Sequence, residues 1–282
     1  MKNLLLPTIF SVFNFLFSIF FVTLQPMSKL CVIIVCLLMA VGCSQQPPKN
    51  YTHEVLNPMT PIKNQGESQL CWAYAMLAAI ETEHLRWGDS VNLSVAYIEK
   101  MLEQEPQAPE SKRGMGATLL TLIQKYGVVG FDAMRSADSP TPHLVFMFGA
   151  EYTTQEFARS VCAPGEYIAL TSTDEAPYYQ EVELDVPDNW LHNRFYNIPV
   201  DTLLAKTVRA VRHHHGVCWE SRGHAMAIVG LAHDDAGKQY FVMKNSWGTH
   251  RPYQGLEYLS FKKFRSETLA VEMTHEAFRE GE

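Results

Sequence analysis

Residues 65–80 read Gln65-Gly66-Glu67-Ser68-Gln69-Leu70-Cys71-Trp72-Ala73-Tyr74-Ala75-Met76-Leu77-Ala78-Ala79-Ile80. A polar loop runs into ten uncharged residues rich in Ala, Met and Leu, all strong helix formers. The run predicts a helix from Cys71 to Trp87, ended by Gly88-Asp89. Its first turns carry no charge, so they are expected to be buried on all sides. Cys71 stands at the N-terminal end, where the helix dipole favours a thiolate, the reactive form of the side chain. A single Cys before Trp is more often a small core residue. Its place at a helix start is what makes Cys71 a candidate nucleophile, which then needs a base and an orienting group.

Both are offered by one later hairpin. His224–Ala232 is a near-continuous apolar strand, Asp234–Lys238 a turn, and Gln239–Lys244 a return strand. The tip near Asp235 lies about eleven residues from His224 and from Asn245, so the two strand ends meet. Around this hairpin the chain reads as helices first and strands later. Helices are expected over Val95–Glu103, capped by Asn92-Leu93-Ser94, over Ala117–Lys125, from Thr153 or Thr154 to Val161, and over Asp201–His213. Strands are expected at Tyr167–Thr171, Tyr179–Leu184 and Leu256–Phe261. This segregation predicts an α+β fold in two lobes: a helical N-terminal lobe with the Cys71 helix at its centre, and a β-rich C-terminal lobe.

Three elements in this order resemble the papain-like cysteine peptidases: Gln65-x5-Cys71-Trp72, Gly223-His224-Ala225, and Asn245-Ser246-Trp247-Gly248. His224 and Asn245 lie 153 and 174 residues after Cys71, where the family has roughly 130–150. The resemblance covers about residues 58–270. It implies Cys71 as nucleophile, His224 as base and then acid, and Asn245 as the group that orients the imidazole. It also implies an oxyanion hole from the Gln65 amide and the Cys71 backbone N–H, and a Trp247 that shields the His224–Asn245 bond, or simply packs in the core. Trp72 supports the nucleophile. Gly114, 13 residues before Gly127, takes the place of a glycine that lets substrate backbone approach, although Arg113 stands where that loop usually has another glycine. The ion pair of such a site lowers its thiol pKa to roughly 3–4. Within the family the sequence is most similar to the bleomycin hydrolase/aminopeptidase C branch. It has Ser68 rather than Cys three positions before Cys71, and its Glu166–Leu170, Asn197–Leu203 and Gly216–Trp219 segments are similar to that branch. Relatives there are larger, intracellular and hexameric, and place their C-terminus in the cleft for aminopeptidase action. Here Glu280, Glu282 or the terminal carboxylate would have to supply the anion.

The implied function is thiol-dependent hydrolysis of peptide bonds in peptides or proteins, with aminopeptidase action as one form of it and with no metal or cofactor. Two rivals use the same residues: a catalytically silent peptide-binding lipoprotein, and a Cys-dependent acyl transferase or deamidase. With 47% hydrophobic and 19% charged residues the chain is neither disordered nor fibrous. It has no basic run for a nucleic-acid partner.

The front end has another purpose. Residues 1–42 hold two Lys and no Asp or Glu, so 21 Lys and Arg face 30 Asp and Glu in residues 43–282. Lys29, the apolar Leu30–Met39 and Ala40-Val41-Gly42-Cys43 read as a bacterial lipoprotein signal over 27–42, with Cys43 as the lipidated residue and the cell envelope as the destination. Residues 1–26 are redundant before it; either the true start is Met27, or residues 3–25 form a membrane helix. Residues 43–51 read as a tether, and 52–282 as the peptidase domain. In the body only Cys71, Cys162 and Cys218 remain, an odd number, and no pair has zinc-ligand spacing. His213-His214-His215 reads as the exposed end of a helix rather than a metal site.

Overall fold

In the computed structural model residues 49–147 and 149–280 are described. The segment read as a lipoprotein signal over 27–42, Cys43 and Glu282 lie outside them. Within them, α1 (Cys71–Leu85) is the long apolar helix, and all but four of its residues are buried. It stops two residues earlier than expected because the chain turns through Gly88 at φ +87°, with the Gly88 N–H on the Leu85 carbonyl. The other helices of this lobe are α2 (Val95–Leu102), α3 (Gly116–Tyr126) and α4 (Thr154–Val161). The Ser94 hydroxyl accepts the Tyr97 N–H at the start of α2. Thr153, not Thr154, caps α4 in a reciprocal box with Glu156. Each cap satisfies orphan donors of the first turn. Their apolar faces close one core around Met76, Leu77, Ile80, Ile98, Leu119 and Phe157.

The second core lies on a nine-stranded sheet. Its strands are β1 (Tyr51–Leu56), β4 (Tyr167–Thr171), β5 (Gln180–Glu183), β6 (Arg194–Asn197), β7 (Val217–Glu220), β8 (Ala225–Asp234), β9 (Gln239–Lys244), β10 (Leu256–Ser260) and β11 (Ala270–Thr274). The main path runs β10-β9-β8-β7-β11-β4-β6-β5, and β1 adds to β8. All pairings are antiparallel except β4 with β6. A small separate hairpin is formed by β2 (Leu144–Met147) and β3 (Ala150–Thr153). Helices α5 (Val200–Arg212), α6 (Phe261–Glu267) and α7 (His275–Arg279) belong to this half. The α+β reading therefore holds, with one helical and one β-rich half, and α1 packs against β7 and β8.

Two expectations are corrected here. Tyr51 is not tether: it opens β1, pairs with Asp234, and stacks on Tyr258 with ring centroids 3.6 Å apart. The histidine run is not uniformly exposed. His213 caps α5 at the surface, but His215 is fully buried, with its Nδ1 3.1 Å from Glu83 and its Nε2 3.3 Å from Glu280. The positive φ of His214 (67°) turns the chain inward at that point. No local periodicity announces such a turn in a polar run.

Candidate active site

Cys71 is the first residue of α1, after Leu70, whose side chain makes no capping bond. The first-turn N–H groups are thus left to act on the thiol. Across the interface, β8 begins at Ala225, directly after His224. Cys71 and His224 line one small cavity with Trp72, Gly114, Glu220 and Ala225. The backbone N–H groups of Ala225 and Trp72 stabilise a Cys71 thiolate, as does the guanidinium of Arg113.

The hairpin delivers the third group. Register Ala227↔Lys244 brings the ends of β8 and β9 together. His224 Nε2 and Asn245 Oδ1 are 2.9 Å apart. The Asn245 amide cannot be turned the other way: its Nδ2 donates to Glu257 Oε1 at 2.6 Å and its Oδ1 also accepts the Ser246 N–H at 2.7 Å. With Oδ1 committed as acceptor, His224 Nε2 must carry the proton and donate. The neutral imidazole then keeps its lone pair on Nδ1. The Trp247 ring stacks on the His224 ring, centroids 4.6 Å apart, and Arg251 covers the indole at 4.8 Å. Trp247 therefore lies directly on the imidazole that Asn245 holds.

Gln65 is tied to this turn. Its N–H donates to the Ser246 carbonyl at 2.7 Å and its Oε1 accepts from Ser246 Oγ at 2.5 Å. Its Nε2 donates to Ser68 O at 2.6 Å, which leaves one amide hydrogen for a ligand. Trp72 is buried, donates to the Lys112 carbonyl at 3.1 Å, and lies against Gly114. A Cβ at Gly114 would stand 3.0 Å from the Trp72 ring, so a larger residue there would have to displace the indole by a few tenths of an ångström. Arg113 makes a bidentate pair with Asp188, closest approach 2.7 Å, at the cavity edge.

One expectation is corrected by the environment. Burial, reinforced by Glu220, pushes the Cys71 thiol above its ordinary value. Burial likewise pushes His224 below the usual imidazole range, against the opposing pull of Asn245 and Glu257. Both shifts weigh against a preformed ion pair with a thiol near 3–4, because burial penalises the charged form of each group. Burial pushes Cys162 up to about 12 and holds Cys218 well above the ordinary thiol range; both are buried and unpaired. Alkylation of Cys71 is therefore expected to rise through the alkaline range rather than to be at a plateau by pH 6. Cys71 should still react before the other two. Peptide mapping after timed iodoacetamide treatment at several pH values checks this, and a plateau by pH 6 would restore the ion pair.

Sequence reading missed Ser246, Glu257, Asp188 and Glu220. Ser246 stands inside the Asn245–Gly248 motif and was within reach. The others come from β10, the β5–β6 loop and β7, and carry no local signal. For aminopeptidase action Glu280 is one of the groups that would have to reach the cleft. It lies instead against His213 and His215, beside Glu83 in the last turn of α1. Glu83 is 12 residues along α1 from Cys71, about 18 Å away.

A half-buried Cys at a helix start, an imidazole at the start of the facing strand and an amide fixed behind it define the class of a thiol hydrolase site on a papain-like fold. The chain belongs to the papain family of cysteine proteases, whose family model matches residues 48–276. It is 25% identical over 201 residues to the senescence-specific cysteine protease SAG12 of Arabidopsis thaliana, covering 68% of this chain and 50% of that protein. It is 25% identical over 203 residues to cathepsin S of Rattus norvegicus, covering 70% of this chain and 56% of that protein. The chain thus spans about half the length of the curated relatives it matches. Its fold is similar to that of PepW from Lactobacillus rhamnosis, with a TM-score of 0.66 and 14% identity over 89% of both chains.

Proposed function

We propose that the chain hydrolyses peptide bonds through an acyl-enzyme on Cys71. The observation that carries this reading is the fixed Asn245 amide, which sets the His224 tautomer with Nδ1 as the available base. His224 Nδ1 takes the thiol proton as Sγ bonds to the substrate carbonyl carbon. The oxyanion accepts from the Cys71 N–H and the spare Gln65 amide hydrogen. On collapse the C–N bond breaks and His224 returns its proton to the leaving amine. Water, deprotonated by His224, then attacks the thioester. The acid leaves, and the Cys71 thiol is restored. Release of a free acid from a peptide amide separates this from acyl transfer, and turnover at all separates it from silent peptide binding.

Internal cleavage is the better-supported mode, and aminopeptidase action the second. An aminopeptidase must offer an anion to the α-ammonium of its substrate. Glu280 is engaged by His213 and His215, and Asp188 at the cavity edge is engaged by Arg113. A peptide and its N-acetylated twin should be hydrolysed at rates within a few-fold of each other. A preference for the free amine of about 10²-fold or more would make the protein an aminopeptidase and return it to the bleomycin hydrolase-like branch.

We further propose attachment to a bacterial envelope through a lipid on Cys43, on the strength of the Lys29–Cys43 pattern. Mass spectrometry of membrane-extracted protein should find a mature N-terminus at a diacylglyceryl-modified Cys43. A chain that begins elsewhere would rule this out.

A further inference from the structure

Behind the Cys71 cavity, β7 and β11 run side by side, with Cys218 opposite Glu272 and Glu220 opposite Ala270. Cys218, Glu220 and Glu272 are all buried, the most accessible only 3% exposed. The Cys218 Sγ and one carboxylate oxygen from each glutamate lie within 4.8 Å of one another. Among the described residues, no Lys, Arg or His forms an ion pair with either carboxylate. Glu220 accepts the Gly116 N–H at the start of α3. Both oxygens of Glu272 are buried without a hydrogen-bond partner. Gly116 keeps the space beside them open, since a Cβ there would lie 2.7 Å from Glu272 Oε2.

Two adjacent buried carboxyls with no cation are costly, and apolar residues on the same strands would not be. A divalent cation would engage both groups. The donor set selects which kind. Mg²⁺ and Ca²⁺ take oxygen ligands, whereas one thiolate with two carboxylates suits Zn²⁺ and its neighbours. Tetrahedral coordination at about 2.0–2.3 Å sets donors roughly 3.5 Å apart. Donors within 4.8 Å of one another would close by up to about 1.3 Å on binding. Water would take the fourth position. Local spacing could not reveal the set, because Glu272 is more than 50 residues from Cys218.

We propose that Cys218, Glu220 and Glu272 form a buried binding site for a single zinc-class divalent metal ion at the back of the Cys71 cavity. The probe is Co²⁺, whose bond to a thiolate gives a near-ultraviolet charge-transfer band. The full chain is used with Cys71→Ala, so that the cavity thiol cannot contribute. One Co²⁺ per chain should bind, with that band, and Zn²⁺ should displace it. Cys218→Ser should abolish the band. Glu272→Gln, which keeps the side-chain shape, should weaken binding by at least about tenfold, or 1.4 kcal/mol, with the far-ultraviolet circular dichroism unchanged. Any of three results overturns the site: no saturable Co²⁺ binding in Cys71→Ala, a band that survives Cys218→Ser, or an affinity unaltered by Glu272→Gln. The first would leave the glutamates as a protonated acid pair.

Discussion

Cys71→Ala is expected to abolish peptide hydrolysis, lowering kcat/KM by about 10⁴-fold or more, and His224→Ala to be nearly as damaging. The two act as one unit, since the thiol attacks only as its proton moves to Nδ1. Removing either therefore removes the same step. Asn245→Ala should leave a measurable fraction. Its Oδ1 fixes the tautomer and ring orientation of His224, but Trp247 still holds the ring by stacking. The measurement is kcat/KM on one fluorogenic peptide for the three variants. An Asn245→Ala loss larger than that of His224→Ala would reverse the assigned roles. Full activity in Cys71→Ala would remove the nucleophile.

Glu81→Ala is expected to cost about 3–5 kcal/mol of stability and to lower the melting temperature by roughly 10 °C. Glu81 is a fully buried carboxylate on α1. It accepts from Lys63 Nζ at 2.7 Å, from the Leu93 N–H at 2.7 Å, and from the Thr60 hydroxyl. Lys244 Nζ lies 3.8 Å away and donates to Thr60 at 2.6 Å. Burial lowers Lys244 to about 8, and Glu81 is the group that opposes the fall. Without it, two ammonium groups in the interior lose their counter-charge, and Leu93 loses the partner that sets the entry to α2. Lys244 precedes Asn245, so activity should fall with stability. Glu81→Gln keeps an acceptor for Leu93 and should lie between wild type and Ala. Chemical unfolding monitored by tryptophan fluorescence checks the order, and a loss below about 1 kcal/mol for Ala would show that the network is not what holds α1 in place.

The two predictions draw on different levels of information. Cys71 at a helix start and His224 and Asn245 at hairpin ends are local facts. Composition alone makes 71–80 a buried helix, and strand length with turn position makes the β8–β9 register. Glu81 is visible in the sequence only as the first charge after ten apolar residues. Its partners Thr60 and Lys63, Leu93, and Lys244 come from three separate segments, and no periodicity links them. The same holds for Glu257 behind Asn245 and for Asp188 on Arg113.

What the sequence determined by itself was the helical half, the hairpin, the α+β class and the three groups of the site, because helix propensity, apolar runs and turn residues act over a few neighbouring positions. Tertiary structure alone decided the rest. It buried His215 on Glu83, took Glu280 to the far end of α1, and set the Cys71 and His224 pair toward its neutral form. It also put Cys218, Glu220 and Glu272 around one point. Each of these depends on which distant segments share a low-dielectric interior, and the energy of a charge there is set by partners that chain order does not reveal.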